Sequence, residues 1–169
     1  MKKTMVNLAV LVSFLVVPLM AQMPAPPKPL DTPMTKWMLG EWEGWMNSPM
    51  GKSQEWMACA MGLNDQFMMI EGTSKAGTMN YHGMGAVTVD PKTGATVGYW
   101  IDNFRGMFEG KGKEEGNKSI MEWSGNMGKS TRIIEKMEPD KMKITVEMPG
   151  ADGKMMTVTG EMTRIKKTQ

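Results

Sequence analysis

The sequence predicts an all-β protein: a single antiparallel β-barrel of about ten short strands, entered through one short helical turn. Three observations predict it. Apolar and polar residues alternate with period two along Lys141-Met142-Lys143-Ile144-Thr145-Val146-Glu147-Met148, as in a strand with one buried and one wet face. Turn-forming clusters recur roughly every 8–12 residues, the rhythm of a sandwich or barrel. The 19 glycines suit the bulges and tight corners that closure needs, and no second long helical pattern is present.

Taken in order, the chain opens with Met1-Lys2-Lys3, a short positive segment, and an apolar run from Val6 to Val17. Pro18 interrupts that run, and Leu19-Met20-Ala21 supplies a small residue before Gln22. Positive start, short apolar stretch and small-residue end predict a secretory signal peptide over residues 1–21, too short to span a bilayer. The expected location is therefore periplasmic or secreted, with no integral membrane segment left after cleavage. Residues 22–32 hold four prolines, which fix φ and remove amide donors, so they predict an extended, exposed tether. The barrel domain is expected over 33–165, starting with a helical turn through Met34, Trp37 and Met38.

From Gly40 onward the period is two. Turns are predicted at Asn64-Asp65, Asp90-Pro91-Lys92-Thr93-Gly94, Glu114-Glu115-Gly116-Asn117, Glu138-Pro139-Asp140 and Pro149-Gly150-Ala151-Asp152-Gly153. The last of these joins the alternating strand to another, in which Met156, Val158, Gly160, Met162 and Arg164 share one face.

Charge narrows the function classes. The chain carries 20 Lys+Arg and 18 Asp+Glu, and loss of Lys2 and Lys3 with the signal leaves 18 of each. With no basic run interleaved with aromatics, binding of nucleic acid or of an anionic membrane surface has no electrostatic basis. Cys59 is the only cysteine in the sequence, so stability comes from packing rather than from an intrachain disulfide.

Certain residues resemble a known family. Leu39-Gly40-Glu41-Trp42-Glu43-Gly44, just after the helical turn, looks like the Gly-x-Trp opening of lipocalin-like (calycin) barrels. In such barrels the tryptophan plugs the closed end and an arginine from the final strand packs across it, which assigns barrel closure to Trp42 and Arg164. Together with Val89-Asp90-Pro91-Lys92-Thr93-Gly94, Gly98-Tyr99-Trp100-Ile101-Asp102 and Met162-Thr163-Arg164, the chain over most of 34–165 resembles the bacterial domain of unknown function 1579 family. That resemblance implies a lipocalin-like barrel and transfers no activity. Met162 departs from it, standing where an aromatic is more usual. A more distant similarity, to nitrobindin-like haem barrels, implies a late histidine, and no histidine follows His82.

Methionine is the compositional outlier. Beyond residue 21 there are 20 methionines against 3 Leu, 5 Val and 7 Ile. One reading is core filler, since the thioether side chain adapts to irregular space. Sacrificial oxidation and a soft-metal site for Cu(I) or Ag(I) are the others. Met57, Cys59 and Met61 share a strand face and are the metal candidates. Yet Met57 and Met61 stand ~13 Å apart along a strand, too far to share an ion readily. Met34 and Met38 are better-spaced helical neighbours.

Parity turns Trp42, Met46, Met142, Ile144, Val146, Met148, Met156, Val158 and Met162 inward. Of these, Met46, Met142, Ile144, Val146, Met148, Met156 and Val158 are the candidates for lining a ligand cavity. A soft, apolar interior suits a small apolar guest of the lipid or tetrapyrrole class, unless side chains fill the barrel completely. Methionine chemistry and a structural or partner-binding role remain the alternatives. Nothing requires catalysis, and no catalytic residue or cofactor is assigned. His82 is the sole histidine, and a Cys59–His82 dyad needs their strands to pair. Glu41 and Glu43 share a face expected to look at solvent, and Asp102 is expected at the barrel mouth or as a turn cap with Asn103.

Overall fold

A computed structural model describes residues 27–48, 51–150 and 152–166. The predicted signal peptide and the first half of the proline-rich segment lie outside these residues.

Among the described residues one helix, α1 (Pro33–Met38), precedes ten strands: β1 (Gly40–Ser48), β2 (Gly51–Gly62), β3 (Phe67–Ala76), β4 (Met79–Val89), β5 (Thr96–Asp102), β6 (Met107–Glu115), β7 (Lys118–Gly125), β8 (Gly128–Glu138), β9 (Lys141–Pro149) and β10 (Met155–Arg164). Every strand pairs antiparallel with its neighbours in sequence, and β1 pairs with β10, so the sheet closes into an up-and-down barrel. Closure removes the two sheet edges that would otherwise present unpaired amides. Among the described residues no helix is long and apolar enough to cross a membrane.

Local chemistry explains α1. Thr32 caps it, accepting the Thr35 amide on Oγ1 at 3.0 Å, and Pro33 occupies the first turn, where an N–H would have no partner. Its buried face, Met34, Trp37 and Met38, closes one end of the barrel. The chain docks on the barrel before the predicted boundary at Pro33. Leu30 is partly buried against the core and donates its amide to Asp65 O at 2.7 Å, while Gln66 Nε2 donates to Pro27 O at 3.1 Å. The expectation of an exposed tether through residue 32 therefore fails at Leu30, although Asp31 stays exposed, because an apolar side chain gains by burial there.

Side chains alternate along each strand, as the pattern on β9 required: Met142, Ile144 and Val146 are buried, Lys143 is exposed, and Thr145 and Glu147 are partly so. The core is rich in thioethers, with Met34, Met38, Met57, Met68, Met121, Met142 and Met162 all buried. The predicted turns fall between strands, and β8 carries a bulge between Lys136 and Glu138 that leaves Met137 exposed.

Candidate functional site

The two ends of the barrel differ. At the end covered by α1, Trp42 is fully buried and its ring centroid lies 5.1 Å from that of Trp37. Trp42 and Arg164 are register partners on β1 and β10, so their side chains meet on the inner face. The Arg164 guanidinium carbon sits 4.1 Å above the Trp42 ring. Its nitrogens donate to Asp140 Oδ1 at 3.0 Å, to Trp37 O at 2.6 Å and to Leu39 O. Trp42 Nε1 donates to Met38 O at 2.9 Å and Trp37 Nε1 to Pro139 O at 2.7 Å. Each side-chain nitrogen of Trp37, Trp42 and Arg164 has an acceptor, which is what burying polar atoms requires.

This end is packed, and two expected cavity residues belong to it. Met142 is fully buried opposite Met162, and Ile144 is buried opposite Gly160. Neither lines the open chamber, because each lies deeper along β9 than Val146, where the barrel is filled by its own side chains.

The opposite end holds a chamber of about 490 Å³ whose rim is formed by turns between strands. Met46, Val146, Met148, Met156 and Val158 line it, five of the seven residues the sequence put forward. The volume lies within the usual range for small-molecule sites. A second, smaller pocket of about 50 Å³ lies toward the α1 end, and Met34, Met38, Met57, Met68 and Met121 contribute to its wall. Trp100, Trp123 and Arg132 border both spaces and form the floor between them.

The chamber also has a polar wall that period-two reading missed. Glu55 points inward from β2, and its Oε1 accepts from Ser53 Oγ at 2.5 Å and Ser74 Oγ at 2.6 Å. Tyr81 Oη accepts from Trp100 Nε1 at 2.6 Å. Burial, the largest influence, holds the Tyr81 phenol above its ordinary pKa, so the hydroxyl keeps its proton. Asp102 is at the mouth and also caps a turn, with Oδ1 accepting the amides of Phe104 at 3.0 Å and Gly106 at 2.8 Å. Arg132 projects from β8 with its guanidinium carbon 5.8 Å from the Trp100 ring centroid.

Glycine makes room for this wall. A Cβ on Gly83 would fall 2.6 Å from Trp100 Nε1 and Cζ2, so only glycine lets the indole lie against β4 and reach Tyr81.

The remaining candidates separate. Met57 and Cys59 are buried on the inner face of β2, with Met61 partly buried beyond them. Burial pushes the Cys59 thiol up to about 12, with nearby Arg164 opposing weakly, so the soft thiolate ligand is disfavoured. The Cys59–His82 dyad does not form. Their strands are separated by β3, and His82 lies exposed with Nε2 2.8 Å from Glu71 Oε1. Glu43 faces solvent and Glu41 is partly exposed.

No protein-family model matches the chain, and no curated protein matches it. Solved structures similar to it include the following three. One is a de novo fluorescence-activating β-barrel, at 13% identity and TM-score 0.47, covering 80% of this chain and 100% of that one. Another, described as EF1p2_mFAP2b bound to DFHBI, has 14% identity and TM-score 0.49, covering 78% and 97%. A third, a redesigned β-barrel, has 14% identity and TM-score 0.49, covering 79% and 96%. The likeness is one of shape.

Proposed function

We propose that this is an exported, non-catalytic carrier that holds a small apolar molecule in the open half of its barrel. The observation that carries the reading is the chamber of about 490 Å³, walled on one side by Met46, Val146, Met148, Met156 and Val158. Methionine and valine give that wall an adaptable apolar surface, and the packed α1 end keeps the barrel rigid beneath it. Export is supported by the signal-like residues 1–21, and the resemblance to the bacterial domain of unknown function 1579 family agrees with a barrel of this kind. A lipid-class guest suits the site better than a histidine-ligated macrocycle, because the single histidine, His82, faces outward.

Calorimetric titration with decanol tests the reading. Saturable binding to the wild-type chain, abolished by Val158→Trp in a protein that still unfolds cooperatively, is the expected result. Binding that survives the filled chamber overturns it.

One observation favours a second role. Met69, Met84, Met107, Met127, Met137 and Met155 are 43 to 67% exposed, which core filling does not explain. Exposed thioethers take up oxidant first and are reversibly reduced where a reductase exists. Peroxide treatment followed by peptide mapping should place sulfoxide on these six before Met142 or Met162.

A further inference from the structure

The sign of the ligand's head group follows from a mismatch of donors and acceptors in the chamber. Four charged side chains line it: Glu55, Asp102, Lys129 and Arg132. They sum to zero, so no bulk field favours either sign. The local partners do. Glu55 receives two hydroxyl hydrogens from Ser53 and Ser74, and Asp102 receives two backbone amides. Arg132 has no such match. Among the described residues no carboxylate forms an ion pair with it and no oxygen accepts from it, although a guanidinium offers five donors.

Arg132 is also deep. It stands four residues into β8 from the turn at Gly128, roughly 13 Å along the strand, and borders the floor of the chamber. A half-buried cation without a counterion carries a desolvation cost that a bound anion relieves. Its neighbours suit a planar anion. The Trp100 indole lies beside the guanidinium, and the same indole donates to Tyr81 Oη, whose own proton is held by the Asp102 carboxylate. On the adjoining wall, Val146 is the register partner of Arg132, and Met148 and Met156 continue the apolar surface toward the rim.

Resting on the carrier reading above, we infer that the guest is an aliphatic or aryl monocarboxylic acid that enters head first. Its carboxylate takes a bidentate hydrogen bond from Arg132, and its apolar tail lies along Val146, Met148, Met156 and Val158 toward the mouth.

Three ligands of matched tail decide it by calorimetric titration: decanoate, decanol and decyltrimethylammonium, each against the full chain and its Arg132→Gln and Arg132→Lys variants. The expected result is decanoate binding at least tenfold tighter than decanol to the wild type. In Arg132→Gln that preference should vanish while decanol binding is unchanged, and Arg132→Lys should restore part of it. Should Arg132→Gln fail to fold, loss of most of the preference in Arg132→Lys carries the same weight, since lysine keeps the charge and lacks the fork. Equal binding of decanoate and decanol overturns the head-group assignment and leaves the carrier reading standing. Tighter binding of the ammonium reverses the assignment in favour of Glu55 and Asp102, and no binding by any of the three overturns both.

Discussion

Each half of the barrel places an arginine over a tryptophan, and the two pairs are finished differently. Arg164 lies 4.1 Å above Trp42 and spends its donors on Asp140 and on the carbonyls of Trp37 and Leu39. Arg132 lies 5.8 Å from Trp100 and spends none within the described protein. The same residue types thus form a closed structural joint at one end and an arginine with no described hydrogen-bond acceptor at the other. What separates them is the supply of acceptors: α1 and the β8–β9 turn bring carbonyls and a carboxylate to Arg164, and no described residue brings one to Arg132.

That contrast is sharpened first by removing the closed joint. Trp42→Ala deletes a fully buried indole and should cost about 3–5 kcal/mol in chemical denaturation. Arg164→Ala leaves the Trp37 and Leu39 carbonyls without their donor and should cost about 1–3 kcal/mol. At the open end, Gly83→Ala should displace Trp100 and lower decanoate affinity at least tenfold, read by titration, with a smaller loss of melting temperature than Trp42→Ala gives. Arg132→Gln should change stability least, within about 0.5 kcal/mol in either direction, because no hydrogen-bond acceptor among the described residues is left without its donor. A loss from Arg132→Gln as large as that from Arg164→Ala would erase the distinction between the ends.

Cys59 reports on the closed half through pH. Its thiol is held near 12 in the folded state against 9.0 ordinarily, so folding disfavours the thiolate. The unfolded chain therefore releases this proton first, and the contribution of Cys59 to stability is intact below about pH 9 and declines as pH rises toward 12. Iodoacetamide should label Cys59 at pH 8 only after denaturant unfolds the barrel.

The closed half was legible in the sequence and the open half only in part, for one physical reason. Alternation marks a strand face that is uniformly apolar, and β9 shows it without a break, so Met142, Ile144 and Val146 could be turned inward correctly. Trp42 and Arg164 were legible through the resemblance of Leu39 to Gly44 to the Gly-x-Trp opening of lipocalin-like barrels, which implies a closing arginine on the final strand. A binding wall erases the same signal by placing polar residues at inward positions. On β2 the inward series runs Ser53, Glu55, Met57, Cys59, and on β8 it runs Ser130, Arg132, Ile134. Counting back by two from the buried Met57 and Ile134 would have found Glu55 and Arg132. The depth of Met142 and Ile144, by contrast, follows from where α1 covers the barrel, which periodicity along one strand does not encode.

The most direct test of the account is native mass spectrometry of the full chain purified from the cells that make it, compared with its Val158→Trp and Arg132→Gln variants. The account predicts an acidic organic adduct on the wild type that is lost on denaturation, absent from Val158→Trp and reduced or exchanged for a neutral molecule in Arg132→Gln. A bare polypeptide mass for the wild type, identical in state to Val158→Trp, would contradict it.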